Sequence, residues 1–249
     1  MKAWVLHGAN DIRYEEVDSP RPAADEVVVS VRAAGICGSD IPRIYQTGAH
    51  VHPLVPGHEF TGQVAETGRN VSADWLHRRV GIFPLIPCQN CPECQRQHYE
   101  LCSSYSYLGS RRDGGFAEYV AVPAWNLVAL PDEVSYIQAA MMEPMAVAVH
   151  AMRSALAGGA DRSKSIAVCG LGTIGMLLVL FLMEAGYTKI YVMGNKEFQR
   201  SMAAAAGVPK EQVWQDKGMC AADWLMAQTK GAGVDVFFEC VGRTETISD

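Results

Sequence analysis

Residues 165–175 read Ser-Ile-Ala-Val-Cys-Gly-Leu-Gly-Thr-Ile-Gly. The run 165–169 is short, apolar and of the kind buried in a parallel sheet. The segment 174–185 is a longer apolar run that Gly186 closes, which predicts a helix. Between them Gly170, Gly172 and Gly175 form G-x-G-x-x-G. Glycine-rich turns are common, but one that follows a strand and opens a helix is the dinucleotide-binding signature. Gly170 permits the tight turn, Gly172 lets main chain approach a pyrophosphate, and Gly175 lets the helix pack closely. Thr173 and Ile174 begin the helix whose N-terminus would meet the phosphates.

Working outward, the same texture continues downstream. A strand is expected at 189–193, an Ala-rich helix at 198–206 closed by Gly207, a weak strand at Val213 and Trp214, a helix at 221–229 and a strand at 234–240. Alternating strands and helices imply a parallel sheet with right-handed crossovers. Upstream lies a helical run at 144–157, ended by Gly158 and Gly159. Before it the chain is β-rich, with short Val-, Ile- and aromatic-rich runs at 27–31, 60–65, 80–86 and 116–122 between Gly, Pro, Asn and Asp. Many short strands of this kind suggest a barrel or sandwich. The expected fold class is therefore α/β with two domains, a β-barrel over 1–150 and a dinucleotide-binding domain over 151–249. A dinucleotide fold normally has six strands. About four are visible here, so the second domain is expected to be C-terminally incomplete.

Composition excludes several classes. The 249 residues are 49% hydrophobic and 19% charged, a globular ratio. No apolar run reaches the roughly 18 residues of a membrane span, and the longest, 174–183, is followed by Glu184. The start, MKAWVLHGAND, has no signal-peptide core, so a cytoplasmic location is expected. A net charge of −6 argues against an extended nucleic-acid surface.

Eight cysteines need a reason. Cys88, Cys91, Cys94 and Cys102 are spaced C-x2-C-x2-C-x7-C, a strong signal for tetrahedral zinc. Pro87 and Pro92 hold the turn. Four thiolates close the coordination sphere, so this zinc is expected to be structural. Cys169, Cys220 and Cys240 are expected to be buried, and Trp4, Trp125 and the Met141–Met142 pair are expected in the core. A second constellation is the run Gly35-Ile36-Cys37-Gly38-Ser39-Asp40, then Gly57-His58-Glu59, then Glu143-Pro144. Cys, His and Glu can hold zinc with one position open, the mark of a catalytic site. Each residue alone is weak, and spacing does not join them.

The motifs GICGSD (35–40), PGHEFTGQV (56–64), the four-cysteine lobe, DGGFAEY (113–119), EP (143–144), GLGTIG (170–175) and FFECVG (237–242) occur in one order. In this the sequence resembles the zinc-dependent medium-chain alcohol and polyol dehydrogenases over its whole length. The resemblance implies a GroES-like catalytic domain and a Rossmann-type NAD(P) domain. It implies that Cys37, His58 and Glu143 bind a catalytic zinc, with Glu59 beside them as an outer or exchangeable ligand. Ser39 holds the hydroxyl position that relays the alcohol proton. Many relatives continue that relay to a histidine where this chain has Pro42, so the proton must leave by another route.

NAD enzymes usually place Asp or Glu at the end of the second strand, on the ribose 2′-hydroxyl. This chain has Gly194, Asn195 and Lys196, with Arg200 one turn on. Residue chemistry leans to NADP, while NAD-linked relatives keep NAD open. By resemblance Tyr107 and Ser110 line the substrate pocket. Arg43, His50, Arg111 and Arg112 are candidates for a substrate phosphate, because guanidinium forks suit phosphate. Surface salt bridges are the competing explanation.

The expected activity is oxidation of a secondary alcohol on a small polyol or polyol phosphate to a ketose, with neither nucleic acid nor membrane as partner. A sorbitol- or threonine-type dehydrogenase is an alternative, as is a metal- and nucleotide-binding fragment without turnover. A zinc-ribbon nucleic-acid binder is disfavoured by the charge. Family resemblance suggests a homo-oligomer, dimer or tetramer, for the full-length form.

Overall fold

The computed structural model describes residues 1–156, 161–215 and 218–248. The chain forms two compact units, Met1–Glu143 and Pro144–Asp249. The glycine pair 158–159 lies outside the described residues. Among those described, no helix is long and apolar enough to cross a membrane.

The first unit is antiparallel. Strands β1 (Lys2–Gly8) and β2 (Asp11–Glu16) make a hairpin. A five-stranded sheet follows the order β8-β3-β4-β5-β9 and uses β3 (Glu26–Gly35), β4 (Glu59–Thr67), β5 (Arg79–Ile82), β8 (Tyr119–Pro123) and β9 (Leu127–Ala129). A two-stranded ribbon pairs β6 (Leu85–Ile86) with β7 (Ser106–Tyr107). Two short helical turns, α1 (Asp40–Pro42) and α2 (Pro92–Gln95), carry the metal-ligand loops, and α3 (Tyr136–Ala140) ends the unit with a Ser135/Gln138 capping box.

Its core is what β-branched alternation dictates. Val27, Val29, Phe60, Val64, Val80 and Ile82 point inward from β3, β4 and β5. Each such side chain contributes about 1.5–3 kcal/mol when fully buried. The same alternation corrects an expectation. Trp4 lies between inward-facing Ala3 and Val5, so it faces out, 46% exposed and against Tyr14 with ring centroids 5.2 Å apart. Trp125 is likewise exposed and packs on Phe83 and Tyr99. The hairpin and α3 had no counterpart in the sequence reading.

The second unit is α/β. Helix α4 (Met142–Ala155) leads into strand β10 (Ile166–Cys169), helix α5 (Thr173–Glu184), strand β11 (Ile190–Met193) and helix α6 (Glu197–Ala205). Helix α7 (Ala221–Gln228), strand β12 (Val236–Glu239) and helix α8 (Thr244–Ser248) follow. The sheet is parallel in the order β11-β10-β12, and Val213 adds a single parallel bridge to Val192. Both sheet faces are covered, as in α/β proteins. Six residues of α5, Leu178 and Val179 among them, are buried, while Leu225 of α7 packs with Ala167 and Met193. Cys220 is exposed rather than buried, because its sulfur caps α7 by accepting from the Asp223 N–H. Cys169 and Cys240 are half-buried.

Candidate metal and dinucleotide sites

The four-cysteine lobe is built by backbone turns. Cys91 caps α2 with Pro92 at the first helical position, and the Cys94 N–H points at its sulfur, 3.5 Å away. The Cys88 N–H donates to Cys102 Sγ over 3.3 Å, and Cys88 and Cys94 sulfurs lie 3.9 Å apart. All four sulfurs fall within 4.8 Å of one another. The Cys94 N–H holds the Cys91 thiol down at about 6, and the Cys88 N–H lowers that of Cys102. Burial pushes Cys94 up to about 12. Thiolates that main-chain donors already favour, beside one that only a cation would ionise, suit the closed tetrahedral set zinc prefers.

The second cluster joins two stretches distant in sequence. Cys37 sits on the loop after β3, His58 precedes β4 and Glu59 opens β4. Register pairs Gly35 with Glu59, so the cysteine loop and the His-Glu pair meet at one sheet end. A Cβ at Gly35 would come 2.4 Å from Glu59 Oε2, so glycine leaves the carboxylate its present place. Ligand atoms of Cys37, His58 and Glu59 lie within 4.8 Å of one another. Burial raises the Cys37 thiol, against the opposing hydrogen bond from Ser39 Oγ at 3.3 Å. Burial, then the charge of Glu143, raises the Glu59 carboxyl. A largely buried sulfur, nitrogen and oxygen set, whose thiol and carboxyl resist ionising without a counter-charge, fits a divalent cation with one position left open.

The set differs from the expected one. Glu59 belongs to the convergent three, whereas Glu143, at the start of α4, is held apart by Tyr107, whose hydroxyl donates to Glu143 Oε1 over 3.1 Å. Glu59 directly follows His58 and its side chain turns back under Gly35.

Asp40 was not singled out as a site residue. It is fully buried, accepts the Cys37 N–H at 3.0 Å and pairs with Arg43, and its Oδ1 lies 3.6 Å from His58 Nδ1. That nitrogen is buried without a hydrogen-bond partner. The available signal was an acid three residues from a candidate ligand.

A 370 Å³ pocket opens onto this cluster, lined by Ser39, Arg43, His50, Tyr107, Ser110 and Arg111, with His58 at its wall and Glu100 as its acid. Arg111 lies over the Tyr105 ring at 4.9 Å. Arg112 is not part of it, being paired to Glu26 at 2.7 Å.

In the second unit the glycine motif has the geometry its spacing implies. Gly170 has φ +95°, Gly172 caps α5, and a Cβ at Gly175 would strike the Gly170 carbonyl. A cleft of about 920 Å³ lies above the sheet, lined by Gly170, Gly172, Gly194, Asn195, Lys196 and Trp214. Thr173, Ile174 and Gly175 stand behind this lining, in the first turn of α5.

Residues 23–132 match the alcohol dehydrogenase GroES-like domain. The chain is 40% identical over 185 residues to galactitol 1-phosphate 5-dehydrogenase of Escherichia coli (strain K12), covering 74% of this chain and 52% of that protein. It is 34% identical to (R,R)-butanediol dehydrogenase of Bacillus subtilis (strain 168), covering 97% of this chain and 71% of that one. The crystal structure of galactitol-1-phosphate dehydrogenase from Escherichia coli superposes with a TM-score of 0.89 at 33% identity, over 99% of this chain and 70% of that one. The chain thus spans about half the length of the first relative in its matched segment and about 70% of the other two. A GroES-like unit carrying two metal-type clusters and a Rossmann-type unit carrying the glycine turn, matched over 97% of this chain to (R,R)-butanediol dehydrogenase, make this chain a member of the zinc-dependent medium-chain alcohol dehydrogenase family.

Proposed function

We propose that the protein oxidises a secondary alcohol of a polyol or polyol phosphate to a ketose, with zinc and NAD(P). The observation that carries this reading is the convergence of Cys37, His58 and Glu59, with His58 lining a pocket that also holds a hydroxyl and several basic side chains. Zinc bound there would supply Lewis-acid polarisation of the alcohol, and a bound nicotinamide would accept the hydride. Ser39, exposed at the pocket and two residues from Cys37, takes up the alcohol proton. Pro42 offers no onward acceptor, so the proton passes from Ser39 to pocket water. Asp40 positions the Cys37 loop and faces His58. Tyr107 holds Glu143 beside the cluster.

The basic members of the pocket favour a phosphorylated polyol. Arg111 stacks on Tyr105 and Arg43 is anchored by Asp40, so both guanidinium groups are held at the wall with further N–H donors to spare. The experiment is metal analysis with an assay panel of polyols and their phosphates, each with NAD and NADP. Two zinc ions per chain, one for each cluster, and turnover that favours the phosphates are expected. Zinc at both clusters with no turnover of any polyol would refute the reading.

A further inference from the structure

The backbone that carries His58 is crossed by a second loop, glycine against glycine. Residues 55–57 are zipped to 114–116 by three main-chain bonds. The Gly114 N–H donates to the Val55 carbonyl over 2.8 Å, the Gly115 N–H to the Gly57 carbonyl over 2.8 Å and the Phe116 N–H to the Pro56 carbonyl over 3.0 Å. The Asp113 carboxylate accepts the Val55 N–H over 2.9 Å. Gly57 has φ +95°, and a Cβ there would meet the Phe116 ring. Two further glycines close on its carbonyl, since a Cβ at Gly109 or at Gly114 would collide with that oxygen. Main chain thus packs on main chain one residue before His58, which is itself buried. The Gly109 N–H also donates to the Arg112 carbonyl over 2.7 Å, closing its own loop. That loop is pocket wall. Tyr107, edge-on to His58, precedes Gly109, and Ser110 and Arg111 follow it.

We propose that Gly109 and Gly114 are positioning residues for the open metal cluster: by seating the Gly57 carbonyl they fix where His58 stands against Cys37 and Glu59, and they tie that histidine to the pocket wall. The inference rests on the reading of these three residues as a zinc site. A methyl group at Gly114 must push the Gly57 carbonyl away, and the next residue in the chain is the ligand. Changes to groups that orient a ligand typically weaken metal binding by about 10–100-fold. Gly68 supplies the control. A Cβ there meets the Ala23 carbonyl just as closely. It lies past the far end of β4, however, roughly 30 Å along the strand from Glu59.

Zinc release from the 249-residue chain to a chromogenic chelator tests it, on wild type, Gly114→Ala, Asp113→Ala and Gly68→Ala. Gly114→Ala should hold the open-cluster zinc about ten- to hundredfold more weakly and leave the lobe zinc unchanged. Asp113→Ala loosens the same segment without a clash. It should shift the same affinity in the same direction by less, and it decides the matter if Gly114→Ala does not fold. Gly68→Ala should lower the melting temperature and leave both zinc affinities at their wild-type values. Cobalt loaded at the open cluster, with zinc left in the lobe, reads the geometry directly. Its visible absorption bands should move in Gly114→Ala and stay in place in Gly68→Ala, a difference that loss of stability alone would not produce. Unchanged open-cluster affinity and bands in Gly114→Ala and Asp113→Ala overturn the positioning role. So does an equal loss of affinity in Gly68→Ala. If the wild-type chain binds zinc at the lobe alone, the zinc reading of the open cluster falls and takes this inference with it.

Discussion

Tyr107 donates its hydroxyl to Glu143 Oε1 over 3.1 Å while its ring lies edge-on to His58, centroids 5.7 Å apart. One side chain thus packs against a histidine of the convergent cluster and bonds the carboxylate beside it. Burial first, then the Glu143 charge, keeps the phenol protonated far beyond the ordinary tyrosine range. Tyr107→Phe should cost about 1–3 kcal/mol, the effect of leaving a half-buried charged acceptor unpaired, measured by denaturant unfolding. An unchanged midpoint would show that the bond carries no load.

Cys37→Ala should remove one zinc per chain and leave the other. With the Lewis-acid site gone, turnover should fall by about three orders of magnitude or more, as several kcal/mol of charge stabilisation disappear. Circular dichroism should be unchanged, because Cys37 sits on a loop outside the apolar core. Full activity with a single bound metal would contradict the assignment of the open cluster.

Cys94→Ser should behave differently. Cys94 is the most enclosed sulfur of its lobe along with Cys102, and α2 exists only to present it. Loss of this ligand should release the lobe's zinc and lower the melting temperature, with greater proteolysis between residues 88 and 102. Turnover measured well below that temperature should fall less than in Cys37→Ala.

Gly175→Ala places a methyl group against the Gly170 carbonyl. Helix α5 must shift from the glycine turn, at about 1–3 kcal/mol. Dinucleotide affinity measured by titration should drop along with stability, whereas zinc content should not.

Asp235 accepts the Ser165 N–H at 2.7 Å and the Ser165 hydroxyl at 2.8 Å, tying the approach to β12 to the entry of β10. The main-chain bond first, then the hydroxyl, holds its carboxyl below the ordinary 3.8. Its folded-state value is depressed, so its contribution is complete above the unfolded value and fades as pH falls through the folded one. Melting temperatures of Asp235→Asn and wild type should therefore converge on acidification and separate near neutrality. A gap that is constant with pH would exclude this coupling.

Much of this was legible in the residues, for definable reasons. The glycine run announced its turn because the positive φ at Gly170 and the Gly170 carbonyl crowding Gly175 disfavour any side chain at those two positions. The 88–102 cysteines announced their lobe because ligand spacing within one loop is local information. The open cluster is non-local. That Glu59 converges with Cys37 and His58 follows from the Gly35–Glu59 register, which no spacing between residues 37 and 59 encodes. Asp40 was passed over because its burial depends on strands that close around it. Trp4 was misjudged because bulk was weighed before the alternation of β1.

Strand β10 has β11 on one side and β12 on the other. The chain leaves β10 in one direction and later returns to its opposite flank, so the crossover helices diverge and leave a gap above the carboxyl end of β10. Such topological switch points are where open α/β sheets bind ligands. The cleft is accordingly a consequence of strand order more than of any lining side chain. Substitutions at Asn195 or Lys196 change its lining, and the crevice itself persists as long as the three strands keep their order.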